Sequence, residues 1–132
     1  IGKKSTSKVD IKSALGGNSR NIYYGITRVE ESAHDSQAEQ SNRNLLLSST
    51  AKADSDPVLE ILTSHVIKCG HAATVGPMDK DALYYLQSRG LTIKESTKLL
   101  VSGSYSATFE NMNLGNIHES FIEAINNKLE LI

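Results

Sequence analysis

The chain carries a single cysteine, Cys69, among 132 residues. An internal disulfide is therefore excluded, and a reducing, cytosol-like compartment is expected. Tryptophan is absent, phenylalanine occurs twice and tyrosine five times. No run of Lys or Arg interleaves with these few rings, so a surface that tracks nucleic-acid phosphates while stacking bases is not expected. Neither sign of charge dominates, with Lys+Arg 14 against Asp+Glu 15 and a net charge of -1. The longest apolar runs are a few residues, far short of the ~20 that cross a bilayer as a helix, and no signal-peptide pattern opens the chain. A soluble, cytoplasmic protein without a membrane role is expected. The chain also lacks a Gly-rich loop ending in Lys-Ser/Thr, so it offers no cradle for nucleotide phosphates.

What is present changes character along the chain. Residues 1–18 are polar, and their one alternating piece, Val9-Asp10-Ile11, predicts a weak strand or a frayed start. The stretch from Asn21 to Val29 is rich in β-branched and aromatic residues and predicts a strand that buries Ile22, Tyr24 and Ile26. Glu30 to Gln40 has no apolar period and reads as a surface loop. Leu45-Leu46-Leu47 is a short apolar run, Asp54-Ser55-Asp56-Pro57 a turn, and Val58 to Leu62 another strand. Periodicity alone leaves the edge of a β-sandwich and a β-solenoid both open.

After Pro77 the period becomes helical. Asp79 is an N-cap for a helix whose inner face carries Ala82, Leu83, Tyr85 and Leu86, and Gly90 is its left-handed stop. Thr92 and Glu95 have the spacing of a capping box, opening a helix through Leu99 and Val101 towards Gly103. A further helical turn is expected over Tyr105 to Met112. Asn116 is expected to cap a last helix with an apolar stripe of Ile117, Phe121, Ala124, Ile125, Leu129 and Ile132.

Between these halves lies Lys68-Cys69-Gly70-His71-Ala72-Ala73-Thr74-Val75-Gly76. In an extended strand Ile67, Cys69, His71, Ala73 and Val75 share one face and Val66, Lys68, Gly70 and Ala72 the other. Cβ atoms two residues apart on one face are roughly 6–7 Å apart, so Cys69 and His71 can approach a common metal. Taken alone, Cys69 reads first as buried filler, since free cysteine is among the most buried residue types. A thiol enzyme with Cys69 as nucleophile and His71 as base is a further reading, without an orienting third group. His34, His65 and His118 have no companions at ligand spacing and read as surface or turn residues.

These residues bear a resemblance. Cys69-x-His71 with Ala73-Thr74-Val75-Gly76, followed by Met78-Asp79-x-Asp81-Ala82-Leu83-Tyr84-Tyr85-Leu86, resembles the C-terminal part of the SufB/SufD family of iron–sulfur cluster assembly proteins. Asn42-Arg43-Asn44-Leu45-Leu46-Leu47-Ser48 and Pro57-x-Leu59-Glu60-Ile61 resemble two upstream stretches of the same family, in the same order. The resemblance runs from about Asn18 to the C-terminus and implies a C-terminal portion of a longer chain.

The fold so implied is mainly β with C-terminal α. Residues 1–76 would be the last coils of a right-handed parallel β-helix and residues 77–132 a small helical domain. The implied role is a non-enzymatic scaffold subunit of the SUF machine, D-like, with Cys69 and His71 as a partial site for iron or a nascent iron–sulfur cluster shared with a partner subunit. None is expected to stay bound to this portion alone. The implied partners are a SufB-like subunit, or a second copy of the chain, and a SufC-type ABC ATPase. That ATPase docks on the helical domain, for which Leu83, Tyr84, Leu86, Leu99, Phe121 and Ile125 are the candidate contacts. Where the B-type subunit has a sulfur-accepting cysteine this chain has Asn42, and where a glutamate follows its histidine this chain has Ala72. A sulfur-receiving role is therefore not implied. A solenoid cut open at one end has unpaired strand edges, so self-association is expected. A metal-free β-solenoid interaction module is the alternative.

Overall fold

The computed structural model of the protein describes residues 2–109 and 117–130. Two compact units divide the chain, Ile1–Gly76 and Pro77–Ile132. The first contains five strands: β1 (Thr6–Leu15), β2 (Arg20–Val29), β3 (Ser36–Leu46), β4 (Lys52–Ile61) and β5 (Val66–Pro77). Odd strands form one sheet in the order β1-β3-β5, and even strands form another, β2-β4. β1 and β3 are parallel, with Thr6 opposite Gln37 and Leu15 opposite Leu46, so the offset between partners is constant along the pair. β2 and β4 are parallel too, from Arg20 opposite Lys52 to Val29 opposite Ile61, again at a constant offset. Parallel partners require a crossover connection. Here each crossover contains the intervening strand of the other sheet, and among the described residues the sheets do not close into a barrel.

The face each strand turns inward is set by polar partners rather than by apolar ones. Along β3 the buried positions are Ser36, Ala38, Gln40, Asn42 and Asn44, alternating with the more open Gln37, Glu39, Ser41 and Arg43. Buried amides must find hydrogen-bond partners. Asn21 Nδ2 donates to Ser13 Oγ and to Asn44 Oδ1, each at 2.9 Å, which joins β1, β2 and β3. Gln40 Nε2 donates to the Tyr23 hydroxyl and, at 3.2 Å, to the Gly25 carbonyl, while Thr27 Oγ1 donates to Gln40 Oε1 at 3.2 Å. Asn44 Nδ2 donates to Asn42 Oδ1.

This network corrects the expected burial of β2. Asn21, Tyr23, Gly25 and Thr27 face inward, and Ile22, Tyr24 and Ile26 stand 69, 63 and 53% exposed. A strand's faces are all-or-none, because a one-residue slip moves every side chain to the other side. The partners on β3 select the polar face of β2. Three further stretches are held extended by their parallel partners and so differ from expectation. β1 is a strand, as one of the two expected alternatives had it, but a full one over Thr6–Leu15; Ser36–Gln40 is strand rather than loop, and Asp54-Ser55-Asp56-Pro57 lies within β4 rather than in a turn. Pro57 is tolerated because β4 pairs on one side only among the described residues, so its missing N–H breaks no ladder there.

A small apolar cluster closes one end of the interior. It consists of Val29, Ala33 and Ala38, with Val66 and Cys69 packed against it. The corner beside it repeats. Lys4 and Asp35, one pass of the chain apart, both take left-handed backbone (φ 59° and 57°). Lys4 N donates to the His34 carbonyl and Asp35 N to the His65 carbonyl, each at 2.8 Å.

The second unit holds α1 (Lys80–Ser88), α2 (Ile93–Phe109) and α3 (Ile117–Leu129). Asp79 caps α1, accepting from Asp81 N and Ala82 N at 2.9 and 3.2 Å. Gly90, at φ 95°, ends it, with Gly90 N bonded to the Gln87 carbonyl at 2.9 Å and Leu91 N to the Leu86 carbonyl at 3.3 Å, the two bonds of a Schellman stop. The capping box forms as expected. Thr92 N donates to Glu95 Oε2 at 2.8 Å and Glu95 N to Thr92 Oγ1 at 3.2 Å. The bonds from Thr92 to its carboxylate hold Glu95 below its ordinary value. α2 does not end near Gly103 but continues to Phe109. Gly103 is not at positive φ, and a helical glycine costs only about 1 kcal/mol relative to alanine. Asn116 and Ile132, and the end of the turn expected to reach Met112, lie outside the described residues. On α3, Leu129 is buried, and Lys98 ion-pairs with Glu130 just past its end.

Gly25 gives a test of the polar interior. A Cβ there would collide with the Tyr23 hydroxyl and Gln40 Nε2, so Gly25→Ala is expected to cost about 1–3 kcal/mol through overpacking and lost amide bonds. Urea unfolding monitored by circular dichroism measures it; an unchanged midpoint would mean that the network does not set the inward face.

Candidate functional site

β5 carries the Cys-x-His pair and flanks β3 in the odd-numbered sheet. Its β-branched residues, Val66, Ile67, Thr74 and Val75, favour extended backbone. Three contacts tie it to the chain passing beside it: Asp35 N to the His65 carbonyl at its start, the Lys68–Glu39 ion pair, and Asn44 Nδ2 to the Thr74 carbonyl at 3.5 Å.

Cys69 and His71 stand in different surroundings. Cys69 is a free thiol, half-buried against the Val29, Ala33 and Ala38 cluster. Val66 packs on the same cluster, so the strict alternation expected from Val66 does not hold where the strand leaves its corner. His71 is exposed. It helps line an open cleft of about 310 Å³, with Gly70 and Ala72 beside it, Glu39 to Ser41 and Arg43 from β3, and Lys8 to Asp10 from β1. Cys69 is not among the lining residues. Nothing stands within 4 Å of where a Gly70 Cβ would sit, so the small residues Gly70 and Ala72 leave the cleft open beside the imidazole.

The cleft's two carboxylates each have a partner. Ser41 Oγ donates to Asp10 Oδ1, and Glu39 pairs with Lys68. The hydrogen bond from Lys68, then its charge, hold the Glu39 carboxyl below its ordinary value, with a smaller contribution from Lys8. Both partners are well exposed, so the pair positions β5 more than it stabilises the fold.

Thiolate and imidazole both suit iron. Among the described residues no three of His, Cys, Asp and Glu converge on a point that could hold a metal ion, so the described part of this chain supplies at most two ligands at Cys69 and His71. Asn42 is fully buried, with its Nδ2 unpartnered. On α1, Tyr84 is 75% exposed while Leu83 and Leu86 are half-buried. Leu99 and Phe121 are exposed and Ile125 is half-buried. Tyr85, expected on the inner face of α1, is exposed under the Arg89 guanidinium, 5.2 Å from the ring centre. Spacing offered no reason to join His34 to His65, yet their rings meet, with centres 5.4 Å apart. The available signal was the interval between them, which equals the offset of Thr6 from Gln37 in the β1–β3 pair.

The strand unit thus combines two sheets built from alternate strands with a Cys-x-His pair on an edge strand of one of them. Comparison with known proteins makes this specific. Residues 1–104 match the profile of the SUF system FeS cluster assembly SufBD core domain. The chain is 30% identical over 130 residues to the iron-sulfur cluster assembly protein SufD of Bacillus subtilis, covering 98% of this chain and 30% of that one. It is 31% identical over 132 residues to an iron-sulfur cluster assembly SufBD family protein of Mycobacterium leprae, covering 95% and 34%. With SufD of Escherichia coli the identity is 32% over 90 residues, covering 68% and 21%. This chain belongs to the SufBD family of iron–sulfur cluster assembly proteins. It spans about a third or less of the length of these curated relatives.

Lys68→Gln is expected to return the Glu39 carboxyl upward towards its ordinary 4.5, as read by carbon-13 NMR titration. Because the folded-state value is depressed, the pair's stabilisation is complete above that ordinary value and is lost as pH falls through the depressed one. A Glu39 titration unmoved by the substitution would show that Lys68 does not hold β5 to β3 in solution.

Proposed function

We propose that this chain is the C-terminal portion of a D-like scaffold subunit in SUF iron–sulfur cluster assembly, with Cys69 and His71 offering iron or a nascent cluster part of its ligand set. Family membership supports the process. The observation that carries the finer reading is the placement of both donors two residues apart on β5, whose outer edge pairs with no other described strand. A two-donor set at a strand edge is completed by ligands from a second subunit, either SufB-like or another copy of this chain. Asn42, lacking a thiol, fits a subunit that does not receive sulfur.

The alternating strands and the constant parallel offset within each pair support residues 1–76 as coils of a right-handed β-helix, with residues 77–132 as a helical domain. Tyr84, Leu99 and Phe121, exposed on that unit, with Leu83, Leu86 and Ile125 beside them, are the proposed contacts of a SufC-type ATPase. The chain itself turns over no substrate. The proposed place of action is the cytoplasm; among the described residues no helix is long and apolar enough to cross a membrane.

Anaerobic titration of iron(II) into the complex of this chain with its SufB-like partner tests the site. His71→Ala is expected to weaken iron binding by about tenfold or more, with subunit association intact. Unchanged binding would return His71 to a structural role, and loss of association would make the iron effect secondary. β1 likewise pairs on one side only among the described residues, so concentration-dependent self-association of this chain alone is expected by sedimentation. A strictly monomeric mass over a wide concentration range would contradict edge pairing.

A further inference from the structure

We propose that His34 and His65 form a second metal site, independent of Cys69 and His71, that takes a divalent transition ion of the Zn2+, Ni2+ or Cu2+ class. The two histidines occupy the same position in successive passes of the chain. His34 precedes Asp35, whose N–H reaches the His65 carbonyl at 2.8 Å, and one pass earlier Lys4 N reaches the His34 carbonyl at the same distance. Lys4 and Asp35 share the left-handed backbone that turns this corner. The imidazoles therefore meet because the corner repeats.

Their geometry suits a shared ion. The ring centres are 5.4 Å apart and the planes 67° from parallel. With metal–nitrogen bonds of about 2.0–2.1 Å at a tetrahedral angle, two imidazoles on one ion have centres roughly 5–5.5 Å apart. Thr63 supplies the orienting contact that metal-binding histidines usually have. Its hydroxyl oxygen is 3.1 Å from His34 Nδ1 and accepts from His65 N at 3.2 Å, and the residue is buried. A hydroxyl oxygen has two lone pairs, so it can accept from both groups. With Nδ1–H given to Thr63, the Nε2 lone pair of His34 is left for the ion.

No third His, Cys, Asp or Glu completes a cluster among the described residues, so water fills the remaining positions. Affinity then follows the general order for nitrogen sites, in which Cu2+ and Ni2+ exceed Fe2+. Binding clips the corner between β2 and β3 to the corner between β4 and β5. Ala33 and Val66, the chain neighbours of the two histidines, belong to the cluster that packs Cys69, so an ion here stiffens the base of β5.

The test is titration of the intact chain with Ni2+ and, separately, Zn2+, followed by imidazole proton NMR and by thermal unfolding with and without chelator. One equivalent is expected to perturb His34 and His65 together and to raise the unfolding midpoint, since an ion that binds only the folded state stabilises it. His65→Gln, at an exposed position, and His34→Gln are each expected to weaken binding by about tenfold or more and to abolish the thermal shift. Cys69→Ser and His71→Ala are expected to leave both readouts in place. Absence of binding, a response that survives His65→Gln in a folded protein, or one removed by His71→Ala would overturn the proposal. Since the Cys69 and His71 substitutions also test the iron site, failure of either assignment is distinguishable from failure of the other.

Discussion

Parallel pairing at a fixed offset is the constraint on which the strand unit depends. Once Thr6 faces Gln37 and Arg20 faces Lys52, like positions in successive passes lie side by side. Every corner and inward side chain must then be compatible with its counterpart one pass along the chain. Ser5 and Ser36 meet hydroxyl to hydroxyl at 3.0 Å, Lys4 and Asp35 turn the same corner, and His34 meets His65. Such stacking satisfies backbone groups along the ladder and leaves them unpaired only at the outer edges, which is where association with other chains is expected.

The offset also determines what kind of interior this unit can have. With sheets of two and three strands, little apolar surface can be enclosed, and among the described residues the buried apolar cluster of this unit is Val29, Ala33 and Ala38 with two half-buried neighbours. Much of the space between the sheets is spanned instead by amide and hydroxyl side chains in reciprocal bonds. Such bonds contribute modestly each, on the order of 1 kcal/mol, yet a broken one strands a buried polar group at greater cost. The polar interior therefore specifies register strongly while stabilising only moderately, and it leaves Ile22, Tyr24 and Ile26 in solvent. Iron chemistry enters at an edge of this framework in the proposed role. Cys69 is held by packing and His71 is presented to solvent, so one donor is fixed and the other accessible.

Some of this was legible in the sequence because it depends on neighbours a few residues away. The Asp79 cap, the Gly90 stop and the Thr92–Glu95 box are local hydrogen-bond geometry, and the structure has each of them. The strand from Asn21 to Val29 was legible from its β-branched and aromatic content, and Cys-x-His with its flanking motifs was enough to indicate the family. The end of α2 was not, because Gly103 is only a mild helix breaker and is not held in left-handed backbone.

What only the tertiary structure decided depends on residues a full pass of the chain apart. β1, the start of β3 and the Asp54–Pro57 piece of β4 lack an apolar period and are held extended by partners on other strands: Ser13 accepts from Asn21, Gln40 bonds to Tyr23, Gly25 and Thr27, and β4 pairs along β2. The buried face of β2 went against its hydrophobicity for the same reason. His34 and His65 carry no local sign of partnership, because their meeting is made by the stacking of two corners. By itself the sequence determined the caps, the change from strand to helix near Pro77 and the Cys-x-His spacing on β5, all of which are fixed by short-range chemistry. The inward faces and the histidine pair waited on the ladder, because which side of a strand is buried is a property of the strand it lies against.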